Sequence, residues 1–357
     1  ARPDRRAPRE EGPQPLWSYR GRLAAADRLG AMPTAPVIAG TAGLLSLAPA
    51  TGTPLRTLDI PTDPPGASPD SPAAAIHCAG TLALTTRQDR LLALDLLDPQ
   101  ADWSVRIPGT AAEPVTAQVT GCDPQTVYGR TTAGRPPSAT TELFAVSLRT
   151  RALLWRVPCT GPDVWLSSPV LAGPGLLLAT RGGQLLRLDT DTGAQRWAVP
   201  IGEQSVRTAA DADHCFLLRT DGSVTAVALS DGSTTWSTGT TAGAQWRGVG
   251  LSVADGRLVV LRDTGEVLCH DARTGARQWS QQLPFPLDPR TRPVPAGRQL
   301  VVPGPADAGV VALDAATGER RWQYRDRLPA TSAWSATTDG RHLYVGHDRV
   351  LHALPLS

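Results

Sequence analysis

Residues 309–322 read GVVALDAATGERRW. Val310, Val311, Ala312 and Leu313 form an apolar run of the length expected for a short buried strand. Asp314 follows, and its carboxylate is suited to accepting backbone N–H bonds in a turn. Thr317-Gly318 closes that turn, with glycine supplying a positive φ at little steric cost. Four residues later Trp322 opens a second strand with a large flat side chain that must be covered. The unit is therefore Ala-Leu-Asp, two residues, Thr-Gly, three residues, Trp.

This unit recurs. Trp197 follows LLRLDTDTGAQR, Trp236 follows VTAVALSDGSTT and Trp279 follows VLCHDARTGARQ. Trp155 follows LFAVSLRTRALL, and Trp103 follows LLALDLLDPQAD with Pro99 in the glycine slot. Arg56 holds the Trp slot after Ala50-Thr51-Gly52, and Trp17 has no strand and turn before it. Successive slots lie 39 to 52 residues apart, the period of a four-stranded propeller blade. Between anchors the text fits four strands. SSPVLAG, LLLAT, LLRLD and RWAVPI are separated by Gly-Pro-Gly, Arg-Gly-Gly and Thr-Asp-Thr-Gly turns.

The two ends complement each other. The last strand is VLHALPLS, and no turn or Trp strand follows it; PLWSYRG is a Trp strand with nothing before it. The expectation is an all-β, eight-bladed β-propeller of four-stranded antiparallel blades, in which the N-terminal strand closes the last blade and removes two exposed edges. Residues 1–14, charged and rich in Pro and Arg, read as a linker or tail cut from a longer protein, and 15–357 as one domain.

Composition narrows function. The chain has 357 residues, 41% hydrophobic, with 34 Gly and 33 Pro, too apolar for disorder and too rich in turn formers for a helical fold. A net charge of +2 gives no field for nucleic acid or an anionic membrane, and no run is long enough to span a bilayer. All 35 basic residues are arginine, and asparagine is also absent, as expected of a GC-rich genome such as an actinobacterium's. Without lysine there is no P-loop, Schiff-base or kinase ATP-binding lysine in this chain. The five cysteines include no C-x-x-C and no adjacent pair. Cys215 and Cys269 read as core, and one bridge among the other three is open. None of the six histidines falls at ligand spacing, so no metal is expected. Asp211-Ala212-Asp213-His214 occupies a turn position and reads as a solvated turn.

The AxDxxTGxxxW pattern resembles the repeat of PQQ-type (quinoprotein-like) β-propellers over about residues 15–357, best at Asp189–Trp197, Asp271–Trp279 and Asp314–Trp322. Relatives of that kind include PQQ-dependent alcohol dehydrogenases, an outer-membrane assembly lipoprotein and C-terminal sensor modules of actinobacterial serine/threonine kinases. The dehydrogenases hold PQQ on a vicinal disulfide beside a metal bound by carboxylates and an Asn, and this chain has neither Cys-Cys nor Asn. The lipoprotein would want a lipobox cysteine near the N-terminus. The resemblance is strongest to the kinase modules. It implies a non-catalytic sensor propeller without cofactor, with a free-standing protein-interaction scaffold and a degenerate PQQ oxidoreductase as rivals. Its side of a membrane is left open: cytoplasmic, membrane-associated, or extracytoplasmic if a span lies upstream.

Trp17, Trp103, Trp155, Trp197, Trp236, Trp279 and Trp322 read as seam anchors, and Asp189, Asp271 and Asp314 as turn residues rather than catalytic acids. Trp165, Trp246 and Trp334 stand 10 or 12 residues after an anchor, just before an innermost strand. With Arg207, Arg247 and Arg292 they form the candidate ligand site at the mouth of the central channel. It suits a small anionic or cell-wall-related ligand or a protein partner; the competing reading packs the Trp on blade tops and solvates the Arg. Thr131–Thr141 is longer than a hairpin needs and reads either as a partner loop or as a tolerated insertion. The module is expected to be monomeric.

Overall fold

The computed structural model describes residues 12–21, 29–32, 35–40, 43–58, 77–108, 115–134, 140–159, 170–172, 175–179, 183–202, 206–219, 221–239, 248–288 and 291–356. They form antiparallel four-stranded sheets and a single turn of 3-10 helix, Pro99–Ala101. No described helix is long and apolar enough to cross a membrane.

Seven sheets each take four consecutive strands. They span 29–58, 77–106, 115–159, 170–200, 206–237, 248–282 and 294–324, and are called blades 1 to 7. The remaining sheet joins Ser335–Thr338, His342–His347 and Val350–Pro355 to Trp17–Arg20, with Trp17 opposite Ala353 and Arg20 opposite Val350. The expected eight-bladed ring is thus corrected to seven contiguous blades and one composite closing sheet. The innermost strands touch in chain order from 29–32 round to 335–338, and the last touches the first. Within 131–141, Thr131, Thr132 and Ala133 extend one strand of blade 3, and Thr140 and Thr141 begin the next.

The repeat builds the seams between sheets. In blade 7 Asp314 accepts N–H bonds from Ala316 and Thr317 at 2.8 and 2.9 Å, and Gly318 follows at φ 76. A Cβ on Gly318 would stand 2.5 Å from the ring of Trp279, the anchor of blade 6. The Trp279 indole then donates to the Ala315 carbonyl at 3.2 Å. Trp155 donates in the same way to Thr190, Trp197 to Leu229, Trp236 to Ala272 and, across the closure, Trp17 to Pro49. Each anchor therefore lies on the turn of the following sheet, with its donor satisfied. Burying a side chain that covers 150–250 Å² is worth at most about 4–6 kcal/mol.

A register shift places the Trp. Ala312 pairs with Trp322 and Leu313 with Arg320, which leaves Arg321 bulged. The same shift occurs in blades 1, 3, 4, 5 and 6. The bulge points the residue before the anchor away from the seam. In blades 4 and 7 that residue, Arg196 or Arg321, returns to the turn carboxylate of Asp189 or Asp314 as an ion pair.

The degenerate repeats substitute other chemistry. Arg56 reaches into blade 2 and pairs with Asp102 while donating to the Asp95 carbonyl. Arg151 takes φ 58 in the glycine slot of blade 3 and lays its guanidinium over Trp103, 5.8 Å from the ring centroid. Trp322 faces a closing sheet that has no such turn, and its indole donates instead to Gln299 Oε1 of its own blade at 3.0 Å.

Candidate functional site

The anchor tryptophans and the aspartates Asp189, Asp271 and Asp314 are consumed by the seams. Asp189 sits at about 2, held there by the Arg196 guanidinium and the Thr192 hydroxyl, and Asp271 is lowered by Thr274. Hydrogen-bonded turn geometry gives these shifts without any reaction to serve.

Of the proposed mouth residues, Trp165, Trp246 and Arg247 lie outside the described residues. Arg207, on the innermost strand Val206–Ala210 of blade 5, and Arg292, just before blade 7, are brought together. Burial lowers Arg207, the charge of Arg292 lowers it further, and Asp288 opposes them. Trp334 faces inward. It is 5% exposed, donates to the Ala306 carbonyl at 3.2 Å, and packs with Val310, Tyr324 and Leu343. A separate cavity of about 430 Å³ lies at the seam of blades 6 and 7, lined by Asp255, Trp279, Arg298 and Thr317.

A cluster unforeseen in the sequence lies beside Trp334. Asp326 follows blade 7, and His347 and His352 stand on the neighbouring strands of the closing sheet, where the Asp348-Arg349 turn places them diagonally on one face. Both Nε2 atoms are 2.9 Å from Asp326 Oδ2. Burial alone would raise Asp326, but the two imidazoles override it and hold the carboxyl below its ordinary value. His352 is lowered by burial, against the pull of Asp326. The available signal was the alternation His347-x4-His352 across a two-residue turn; nothing local announces Asp326 as the third member.

The exposed large hydrophobics among the described residues are Leu16, Leu55, Leu97 and Leu154. Three of them directly precede an anchor slot, those of Trp17, Arg56 and Trp155, and Leu97 lies in the turn before Trp103. They occupy the outer edge of four successive sheets: the closing sheet and blades 1, 2 and 3. Directly before the anchor, blade 2 has Asp102, and blades 4 to 7 have Arg196, Thr235, Gln278 and Arg321.

Ringed four-stranded sheets seamed by Trp on Asp-x-x-Thr-Gly turns define a PQQ-type repeat propeller. A family model described as outer membrane protein assembly factor BamB matches residues 40–212, 139–286 and 220–355, and the chain belongs to that family. A BamB of Burkholderia pseudomallei (strain K96243) is 29% identical over 171 residues, 44% of this chain and 41% of the relative. The chain thus spans about two fifths of that relative's length in the match. The crystal structure of BamB from Moraxella catarrhalis superposes with a TM-score of 0.64 at 17% identity, over 96% of this chain and 100% of that one. The computationally designed Ika8 protein superposes with a TM-score of 0.72 at 15% identity, over 96% and 99%. These two likenesses concern the fold alone.

Proposed function

We propose that this chain is a non-catalytic, protein-binding propeller that engages its partner along the outer edge of the closing sheet and blades 1 to 3. The observation that carries this reading is the arc of Leu16, Leu55, Leu97 and Leu154; Leu16, Leu55 and Leu154 are exposed at the position where blades 4 to 7 carry polar residues, and Leu97 in the turn of blade 2. Leucines exposed at repeated sites on one half of a ring favour contact with another protein. The family's description as an assembly factor supports binding over catalysis. Leu55→Arg and Leu154→Arg give these two blades the polar character of blades 4 and 7. The double variant should keep the parent's melting temperature and lose the partners that chemical cross-linking recovers from the native host. Undiminished cross-linking would reject the arc.

The finer reading is a sensor module of a serine/threonine kinase. It is supported by the Pro- and Arg-rich segment 1–14 running into PLWSYRG. A kinase domain encoded upstream of Ala1 supports it, and a lipobox or signal peptide there rejects it. Arg207 and Arg292 favour an anionic ligand at the channel mouth. Arg207→Gln with Arg292→Gln should abolish salt-sensitive binding of an acidic peptide; unchanged binding rejects the mouth site.

A further inference from the structure

We infer that Asp326, His347 and His352 form a binding site for a divalent first-row transition metal ion that clips the closing sheet to the connection leaving blade 7. The three donor atoms, Asp326 Oδ2 and the two Nε2, lie within 4.8 Å of one another. In a tetrahedral site with bonds of 2.0–2.1 Å, donor atoms stand about 3.3 Å apart. The present 2.9 Å separations need only a few tenths of an ångström of opening. Two imidazoles and one carboxylate, without thiolate, suit Zn²⁺, Co²⁺ or Ni²⁺ rather than calcium or magnesium.

The outer nitrogen of each ring also has a partner. His352 Nδ1 lies 2.7 Å from the Ser18 hydroxyl, and His347 Nδ1 lies 3.2 Å from Asp348 Oδ2. Asp348 also accepts from the Thr331 hydroxyl and the Ser332 N–H, which fixes its carboxylate beside the ring. An ion bound through both Nε2 atoms makes each Nδ1–H a donor, to Asp348 and to Ser18, the outward bond that a ligating histidine usually makes.

The surroundings complete the site. His347 is 1% and His352 4% exposed, and Trp334 covers the rings with its centroid 4.4 Å from that of His347. A cavity of about 540 Å³, lined by Arg20, Leu328, Thr331, His347 and Asp348, adjoins the cluster at His347. No other group of three such ligands converges among the described residues.

The test uses the full chain, stripped with a chelator and titrated with Zn²⁺ and with Co²⁺. One ion per chain, a Co²⁺ visible spectrum of tetrahedral type and a melting temperature that rises with Zn²⁺ are expected. Asp326→Asn and His352→Gln should abolish stoichiometric binding, and Ser18→Ala should weaken it about tenfold. His342→Gln, which removes a histidine paired only with Asp339 and Tyr344, should leave it unchanged. Absence of a bound ion in the parent chain, or undiminished binding in His352→Gln, overturns the site and leaves His347 held by a proton. Should the variants misfold, anomalous scattering at the zinc edge from crystals of the parent chain decides: a peak between the three side chains supports the site, and none refutes it.

Discussion

The indole N–H of Trp17 donates to the carbonyl of Pro49 at 2.6 Å, so the first anchor of the chain lies on the turn of blade 1, while its own strand pairs with Val350–Pro355. This one side chain touches both sides of the ring's closure, packing with Leu45, Leu47, Tyr344 and Leu351. Trp17→Ala should lower global stability by about 3–5 kcal/mol. Leu16→Ser, next to it and exposed, should change stability by no more than about 0.5 kcal/mol. Urea denaturation checks both, and removal of residues 1–20 should destabilise the whole ring. A truncated chain that melts like the parent would show that the closing sheet does not need its fourth strand.

Gly318 and Gly256 have similar backbones, φ 76 and φ 71, but different surroundings. An added Cβ meets the Trp279 ring at Gly318 and open space at Gly256. Gly256→Ala should cost about 1 kcal/mol from the left-handed φ alone. Gly318→Ala should cost about 2–4 kcal/mol, since the seam must also part. Equal costs in thermal melts would show that the turns do not support the anchors.

At the seam of blades 1 and 2 an ion pair does the work of a tryptophan. The Arg56 side chain is 11% and that of Asp102 28% exposed. Asp102→Ala should cost about 1–3 kcal/mol by stranding the guanidinium. Arg56→Met combined with Asp102→Ala should recover at least half of that loss. A double-mutant cycle showing no coupling would remove the pair from the seam.

The turn aspartates set an acid limit. Asp189 is depressed to about 2, chiefly by Arg196 and then by Thr192. A carboxylate with a lowered folded value contributes stability that is complete above its unfolded value near 4 and is lost as pH falls toward 2. The parent chain should therefore lose stability across that window faster than Asp189→Asn, which has no proton to take up. Parallel acid titrations followed by tryptophan fluorescence would refute this if they superpose.

The seams were legible because they are periodic. Trp197, Trp236 and Trp279 each need a cover and an acceptor, and a turn closed by glycine stands four residues before each. The same logic assigned Arg56 to a Trp slot but not the means by which it fills that slot, because Asp102 belongs to another blade. Contiguous blades announce themselves by repetition, whereas the closing sheet is a pairing between distant segments, visible only as two incomplete ends. Trp334 was open to two readings for a related reason. Its distance from Trp322 placed it near an innermost strand, but position along the chain does not say whether a side chain turns toward the channel or the core. Asp326, His347 and His352 were missed because their convergence depends on register between neighbouring strands and on the path of a connection.

The composite sheet also orders events in time. Ser18 and His352 are 334 positions apart yet bond to each other. At 5–20 residues per second a ribosome takes roughly 20–70 s to cover that interval. Throughout it the strand Trp17–Arg20 has been made and its partner Val350–Pro355 has not. The nascent chain thus carries an unmatched hydrogen-bonding edge while blade after blade is added, and that edge is fastened only once Val350–Pro355 has been made.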